Sequence, residues 1–119
     1  MKIRSEQMRE MARLASLNFE TRIIAILYEN YPESKAVPSD ELRTGVQEQI
    51  RKAQTSYGFE TEQQLANYVH SAWVLGTDFD IRFPAATERL SSRAYTTQDK
   101  SDWLAAWTKA LFDALALPE

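Results

Sequence analysis

The sequence predicts an all-α protein, a compact bundle of four to five helices with a long N-terminal helix. Three observations support this fold class. Apolar residues recur at helical spacing along most of the chain, capping residues precede several of these runs, and no period-two strand pattern of convincing length is present. The 119 residues suit a single helical domain over residues 1–119, long enough to bury a core without disulfides or metal.

The first predicted helix runs from about Ser5 to Asn30, a stretch without proline or glycine. Its C-terminal half is apolar on more than one side, so we expect it to be the central helix. Tyr31-Pro32 ends the helix, because proline disfavours helical geometry in the preceding residue. The main apolar stripe consists of Met8, Met11, Ala12, Ala15, Phe19, Ile23 and Ile26.

The second helix is expected to begin at Ser39, a good N-cap, with Asp40 and Glu41 in the first turn, where the helix dipole favours negative charge. Gly58 supplies a left-handed stop. Gly45 lies inside this helix and costs about 1 kcal/mol relative to alanine, so we expect a close helix crossing there, with a hinge as the alternative. The apolar stripe is Leu42, Val46, Ile50, Ala53 and Tyr57.

The third helix carries the clearest start signal in the chain. Thr61 and Gln64 have the spacing of a capping box, in which each side chain accepts from a backbone amide near the other. Gly76 closes the helix. Its buried stripe is expected to be Leu65, Val69, Ala72 and Trp73, with Tyr68 beside it.

Two shorter patterns complete the chain. Phe83-Pro84 opens a fourth helix, because proline suits the first turn, and Ala86, Thr87 and Leu90 are expected to face inward. Thr97 is expected to cap the last helix. The apolar side of that helix is Trp103, Leu104, Trp107, Leu111, Leu115 and, less regularly, Phe112. The main irregular connections are predicted at residues 31–39 and 77–83.

Composition narrows the classes of function. The net charge of -3 is opposite to the basic balance that nucleic-acid binding favours. The absence of cysteine excludes disulfides, thiol nucleophiles and cysteine-ligated metals. Apolar runs are far shorter than the roughly 20 residues that cross a bilayer, and the N-terminus lacks the apolar stretch of a signal peptide. The default expectation is a cytoplasmic protein without cofactor, membrane or nucleic-acid partners.

No catalytic or metal-binding motif is recognisable. His70 is the only histidine, and its spacing on the third helix predicts a surface or boundary position; a functional role would need a carboxylate or nucleophile nearby. Asp78-Phe79-Asp80 has alternating carboxylates, but the glycine and distal glutamate of a calcium loop are missing. The three glycines cannot form a phosphate-binding loop. The sequence therefore predicts neither an enzyme nor a metal site.

The two aspartates around Phe79 have a structural interpretation. Phe79 is expected to enter the core, while Asp78 caps the turn or pairs with an arginine, and Asp80 belongs to the same structural ion pair. Arg22 is the predicted partner, because it lies in an apolar run where an unpaired guanidinium would be costly to bury. This ion pair is a hypothesis.

The remaining chemistry points to protein–protein interaction. Trp103 and Trp107 are four residues apart on one helix face, and Met8 and Met11 lie at the less buried end of the first helix. Aromatic residues and methionines are common both in cores and at adaptable interfaces, so both interpretations stay open. A first helix that extends beyond its core over Lys2–Arg13 would need a neighbour, either a second copy of the chain or a different protein.

The order of features also resembles a known group of proteins. A long first helix and Tyr31-Pro32 precede two distinctive segments, Tyr57-Gly58-Phe59-Glu60-Thr61-Glu62 and Gly76-Thr77-Asp78-Phe79-Asp80. In these features the chain resembles small bacterial accessory proteins encoded among type VI secretion genes, near VgrG, PAAR and effector genes. One class of them is the co-chaperone that partners the effector chaperone TecT. The resemblance covers about residues 5–92 and does not include the last helix.

This resemblance implies a non-enzymatic accessory protein, an adaptor or co-chaperone that binds a type VI secretion effector or its chaperone. It carries over no catalytic residues. The alternative is an immunity protein that neutralises a cognate toxin, for which an acidic balance would suit a basic nuclease. An adaptor would mainly affect secretion, whereas an immunity protein would rescue growth when the toxin is produced.

Overall fold

The structure is a computed structural model that describes the backbone of residues 5–116 and the side chains of residues 18–114. All regular elements in this part of the chain are helical, which confirms the all-α class. The chain divides into two compact units, Met1–Gln47 and Glu48–Glu119, and the boundary falls inside the second α-helix. The single domain over residues 1–119 stays a prediction.

Six α-helices and one 3-10 helix make up residues 5–116. They are α1 (Ser5–Asn30), the 3-10 helix (Pro32–Ala36), α2 (Ser39–Tyr57), α3 (Glu62–Leu75), α4 (Phe79–Arg82), α5 (Pro84–Ser91) and α6 (Thr97–Ala116). The helix beyond the expected four or five is α4, a single turn within the segment expected to be irregular. Within the same residues, no helix combines the length and apolarity needed to span a bilayer.

In the first unit, a buried carboxylate joins α1 to α2. Glu20 is 6% exposed, and its Oε1 accepts hydrogen bonds from Arg43 Nη1 at 3.1 Å and from Gln47 Nε2 at 3.0 Å. Among the side chains that the structure describes, the residues predicted for the apolar stripes of this unit are buried except Ile26, which is 49% exposed and does not belong to the core. The buried apolar residues of this unit include Phe19, Ile23, Ile24, Leu27, Leu42 and Val46.

Among the described residues, no helix makes the close crossing that was expected at Gly45. A Cβ atom built at this position meets no described atom within 4 Å. The backbone there is helical and needs no positive φ. The glycine therefore has no packing role among the described residues.

In the second unit, α3 packs against α6 along a stripe of polar pairs. Gln64 Nε2 donates to Gln98 Oε1 at 3.0 Å, and Asn67 Nδ2 donates to Ser101 Oγ at 2.9 Å. Further along, by one turn of α3 and two turns of α6, Ser71 and Thr108 pair through their hydroxyls. Because residue numbers rise together on both helices, α3 and α6 run in parallel, and the segment containing α4 and α5 connects them.

The ends of the helices follow local rules. Thr61 and Gln64 form the predicted capping box of α3, and Gly58 and Gly76 have the positive φ angles, 72° and 107°, that favour glycine. At α6 the predicted cap is displaced by one residue. Thr96 Oγ1, rather than Thr97, accepts from the backbone N–H of Asp99, at 3.0 Å, and the Asp99 carboxylate accepts from the Thr96 N–H.

Candidate partner-binding surface

Two tryptophans form a stacked pair on the side of α6 that meets α5. Trp103 and Trp107 are one helical turn apart, so they lie on the same face. Their ring centroids are 5.0 Å apart and their planes differ by 13°. The ring of Phe83, at the start of α5, meets Trp107 edge-on at 5.5 Å. All three rings are half-buried, so each keeps part of its surface in contact with solvent.

Arg89 extends this group of rings. Its guanidinium carbon lies 4.1 Å from the ring centroid of Tyr95 and 5.1 Å from that of Trp103. Both distances are within the range of cation–π attraction, worth about 0.5–1 kcal/mol at exposed sites. Phe83, Trp107, Trp103, Arg89 and Tyr95 thus form a continuous set of contacts, which we call the aromatic–arginine row.

The row is positioned by ordinary helix packing. Pro84 occupies the first turn of α5, where its missing N–H is not needed. Ala86 and Leu90, at 0% and 2% exposure, direct one side of α5 into the core and leave Arg89 at its margin. Lys100 Nζ donates to the Leu90 carbonyl at 2.9 Å and so ties the first turns of α6 to the end of α5.

A pocket of 280 Å³ opens at the Arg89 end of the row. Opposite charges line it, because Glu88 and Arg89 both face the pocket. Neither side chain forms an ion pair or hydrogen bond with another residue in the described part of the chain. The lining residues are Ala85, Glu88, Arg89, Ser92, Tyr95 and Trp103.

The structure describes the side chains of two of the four predicted interaction residues. Trp103 and Trp107 belong to the row and are half-buried, and their role in partner binding stays a prediction. Met8 and Met11 lie in α1, but their side chains fall outside the described residues, and their role in binding stays a prediction. Sequence reasoning missed Arg89 and Tyr95, which are ordinary residues in a polar stretch.

A second group of polar residues is buried around Asp80, which is 2% exposed. Lys52 Nζ lies 2.7 Å from Asp80 Oδ1, and the Tyr57 hydroxyl donates to Oδ2. Burial, this hydrogen bond and the carboxylate charge raise the pKa of Tyr57 well above its ordinary value. The Thr87 hydroxyl donates to the Asp80 carbonyl at 2.6 Å, so Asp80 fastens α2, α4 and α5 together.

Aromatic rings pack against Tyr57, the residue that donates to this carboxylate. The ring of Tyr68, 0% exposed, lies 5.1 Å from Phe79 and 6.0 Å from Phe59, centroid to centroid. Its hydroxyl is buried without a hydrogen-bond partner among the described residues, and burial and the charge of Asp80 raise its pKa. Phe79 is fully buried, as predicted. The two segments that carry the family resemblance therefore meet in one buried cluster.

The observed ion pairs of the aspartates lie within the second unit. Asp80 pairs with Lys52, and Asp78 lies 3.8 Å from Arg82 on the next turn. Arg22 is exposed on α1 and its guanidinium carbon lies 5.6 Å from the ring centroid of Phe19, so the burial argument used to predict its pairing does not apply. The pairing of Arg22 with Asp78 or Asp80 stays a prediction. Thr87, predicted to face inward, is exposed.

His70 has the boundary position that its spacing predicted. Its side chain is half-buried on α3, and burial lowers its pKa below the ordinary value. Among the residues whose positions are described, no three potential metal ligands come together.

No family model matches the chain, and neither a curated protein nor a solved structure matches it. The resemblance to type VI secretion accessory proteins therefore stays a prediction based on the two sequence segments.

Proposed function

We propose that this protein is a non-enzymatic adaptor or co-chaperone that binds another protein in the cytoplasm. The observation that carries the proposal is the aromatic–arginine row, in which the stacked Trp103 and Trp107 keep solvent-facing surface beside Arg89 and Tyr95. Tryptophan, tyrosine and arginine are the residues most enriched among those that dominate binding energy at interfaces. Here all three types lie together and are already held in place by their mutual contacts.

The proposed partner is a type VI secretion effector or its chaperone. This part of the proposal rests on the resemblance in the segments 57–62 and 76–80. Side chains from both segments lie in the Asp80 cluster, so these segments would preserve the fold, whereas the row would contact the partner. The two sets share no residue: the row consists of Phe83, Arg89, Tyr95, Trp103 and Trp107, whereas the cluster is centred on Asp80 with Lys52 and Tyr57.

Co-purification tests the proposal. The tagged chain would be co-expressed with each protein encoded by the neighbouring genes, and the complex measured by pull-down and calorimetry. Trp103→Ala and Trp107→Ala each remove a large contact surface, so we expect about 30-fold weaker binding, the scale of an interface hot spot. Ala106→Glu is the matched control, since Ala106 is exposed on the same helix but outside the row.

Further variants test the other predicted surface and the alternative function. Met8→Glu and Met11→Glu examine the first helix in the same binding assay. If the tryptophan variants stay folded and bind as tightly as the unmodified chain, the row is not the contact surface. Growth rescue of cells that produce a cognate toxin, without an effect on effector secretion, would contradict the adaptor role and support an immunity protein.

A further inference from the structure

The guanidinium of Arg89 is held in place but its donors are not used. Its guanidinium carbon lies over the rings of Tyr95 and Trp103, 4.1 Å and 5.1 Å from their centroids. An arginine has five N–H donors in a fixed planar fork. In the described part of the chain none of them meets a carboxylate or a carbonyl oxygen. Arg89 is therefore prepared to bind an acceptor that comes from another molecule.

The geometry favours a carboxylate as that acceptor. A guanidinium binds a carboxylate through two parallel hydrogen bonds, and fixing its orientation in advance reduces the entropy lost on binding. Phosphate has the same donor preference, but Glu88 lines the same pocket and would repel a doubly charged group. A singly charged carboxylate, accompanied by an N–H that Glu88 can accept, complements both charges of the pocket.

The size of the pocket indicates what carries the carboxylate. At 280 Å³ it lies at the small end of the roughly 300–1,000 Å³ range of typical small-molecule and cofactor sites. It is large enough for one or two side chains of a peptide segment. Next to it, the exposed surfaces of Trp103 and Tyr95 offer apolar contact to a neighbouring residue of the same segment.

We propose that the Arg89 pocket binds the carboxylate of an aspartate or glutamate side chain in the partner protein, within a segment that also carries an aromatic or aliphatic residue. This inference rests on the proposed function, because it names the chemistry that the row recognises. Arg89 supplies the charge-assisted hydrogen bonds, Glu88 accepts a peptide N–H, and the rings pack against the apolar residue.

Selection from a random 12-residue peptide library displayed on phage, with the intact chain as bait, tests this chemistry. Because the peptides are random, acidic, basic and apolar segments all compete for the pocket. We expect the selected peptides to share an aspartate or glutamate next to an aromatic or aliphatic residue. For the peptide that binds most tightly, changing its acidic residue to the corresponding amide, for example glutamate to glutamine, should weaken binding about tenfold. This is the effect expected for the loss of a charge-assisted hydrogen bond.

Variants of the chain assign the effect to Arg89. Arg89→Gln should weaken the acidic peptide about tenfold and leave its glutamine counterpart unchanged. Arg89→Lys keeps the charge without the planar fork and should bind less tightly than the unmodified chain. Arg93→Gln is the matched control, since Arg93 is exposed and is not part of the pocket lining. Circular dichroism checks that each variant is folded.

Several results would overturn the inference. Selected peptides without a common acidic position, or equal affinity for the glutamate and glutamine peptides, would show that the pocket does not recognise a carboxylate. Self-association that disappears in Arg89→Gln would show that a second copy of the chain occupies the pocket. Loss of the partner in Trp107→Ala but not in Arg89→Gln would remove this inference and leave the proposed function intact. Retention of the partner in both would show that the row is not the contact surface, and absence of any partner among the products of the neighbouring genes would contradict the proposed function itself.

Discussion

The hydroxyl oxygens of Ser71 and Thr108 lie 2.7 Å apart at the interface of α3 and α6, and both residues are 0% exposed. Ser71 Oγ also donates to the carbonyl of Asn67 at 3.0 Å, so Thr108 must be the donor in the pair. A buried hydrogen bond of this kind adds little to the free energy of unfolding. It disfavours any other alignment of the two helices, because the polar groups would then be buried without a partner. The pair therefore helps to align the two helices.

The direction of this hydrogen bond predicts unequal effects of its two deletions. Ser71→Ala leaves the Thr108 donor buried without an acceptor, which should lower the free energy of unfolding by about 1–3 kcal/mol. Thr108→Val should cost less, because Ser71 keeps its bond to Asn67. The double variant should be less destabilised than the sum of the two. Urea unfolding followed by circular dichroism measures all three; strictly additive effects would argue against the pair.

The two phenols near Asp80 should respond in opposite ways to loss of the hydroxyl. Tyr57→Phe removes a hydrogen bond to a buried carboxylate and should destabilise the protein by about 1.5–3 kcal/mol. Tyr68→Phe removes a buried hydroxyl that has no partner among the described residues, so stability should be unchanged or higher. Each substitution is the other's control in thermal unfolding. Equal destabilisation by both would contradict the assigned geometry.

Gly45 offers a stabilising substitution. Because a methyl group there meets no described atom and the backbone is helical, Gly45→Ala should raise the free energy of unfolding by about 0.4–1 kcal/mol. Gly58→Ala is the informative contrast, since its φ of 72° strains any residue with a Cβ and should lower stability. A loss of stability in Gly45→Ala would indicate a close contact at this position.

Stability should fall in mildly acidic solution because of His70. Burial holds its pKa in the folded state below the ordinary value of 6.5, so the unfolded chain takes up the proton first. The free energy of unfolding that depends on a neutral His70 is fully present above about pH 6.5. It is lost as the pH falls towards the pKa of His70 in the folded state. Urea unfolding at several pH values between about 5 and 8 measures this slope. His70→Gln should reduce it, and an unchanged slope would show that other groups cause it.

Local sequence rules predicted the helix boundaries well. The capping box of Thr61 and Gln64 depends only on two residues three positions apart. The helix α1 ends before Tyr31-Pro32 because the proline ring restricts the backbone conformation of the preceding residue. The cap of α6 was displaced by one residue, because Thr96 and Thr97 are both good caps and the position of Asp99 decides between them. Such signals are short-range and can be recognised in the sequence.

The candidate site was less predictable because its contacts are not local. The spacing of Trp103 and Trp107 placed them on one face, but nothing in the sequence indicates that Arg89 reaches across from α5. Likewise, Lys52 lies 28 positions from Asp80 in the sequence. Nothing in the sequence distinguishes it from the other lysines and arginines as the partner of Asp80. Arg22 was predicted as the partner of these aspartates because a buried guanidinium needs a counter-charge. Arg22 is exposed, so this argument does not apply to it.

The parallel course of α3 and α6 places two like electrical poles side by side. The amino ends of both helices carry partial positive charge, and antiparallel neighbours would cancel it whereas these do not. Glu62 and Asp99 lie in the respective first turns and supply the opposite sign. Neutralising both carboxylates would therefore leave two adjacent partial positive charges without a counter-charge. The N-terminal ends of α3 and α6 would then repel each other.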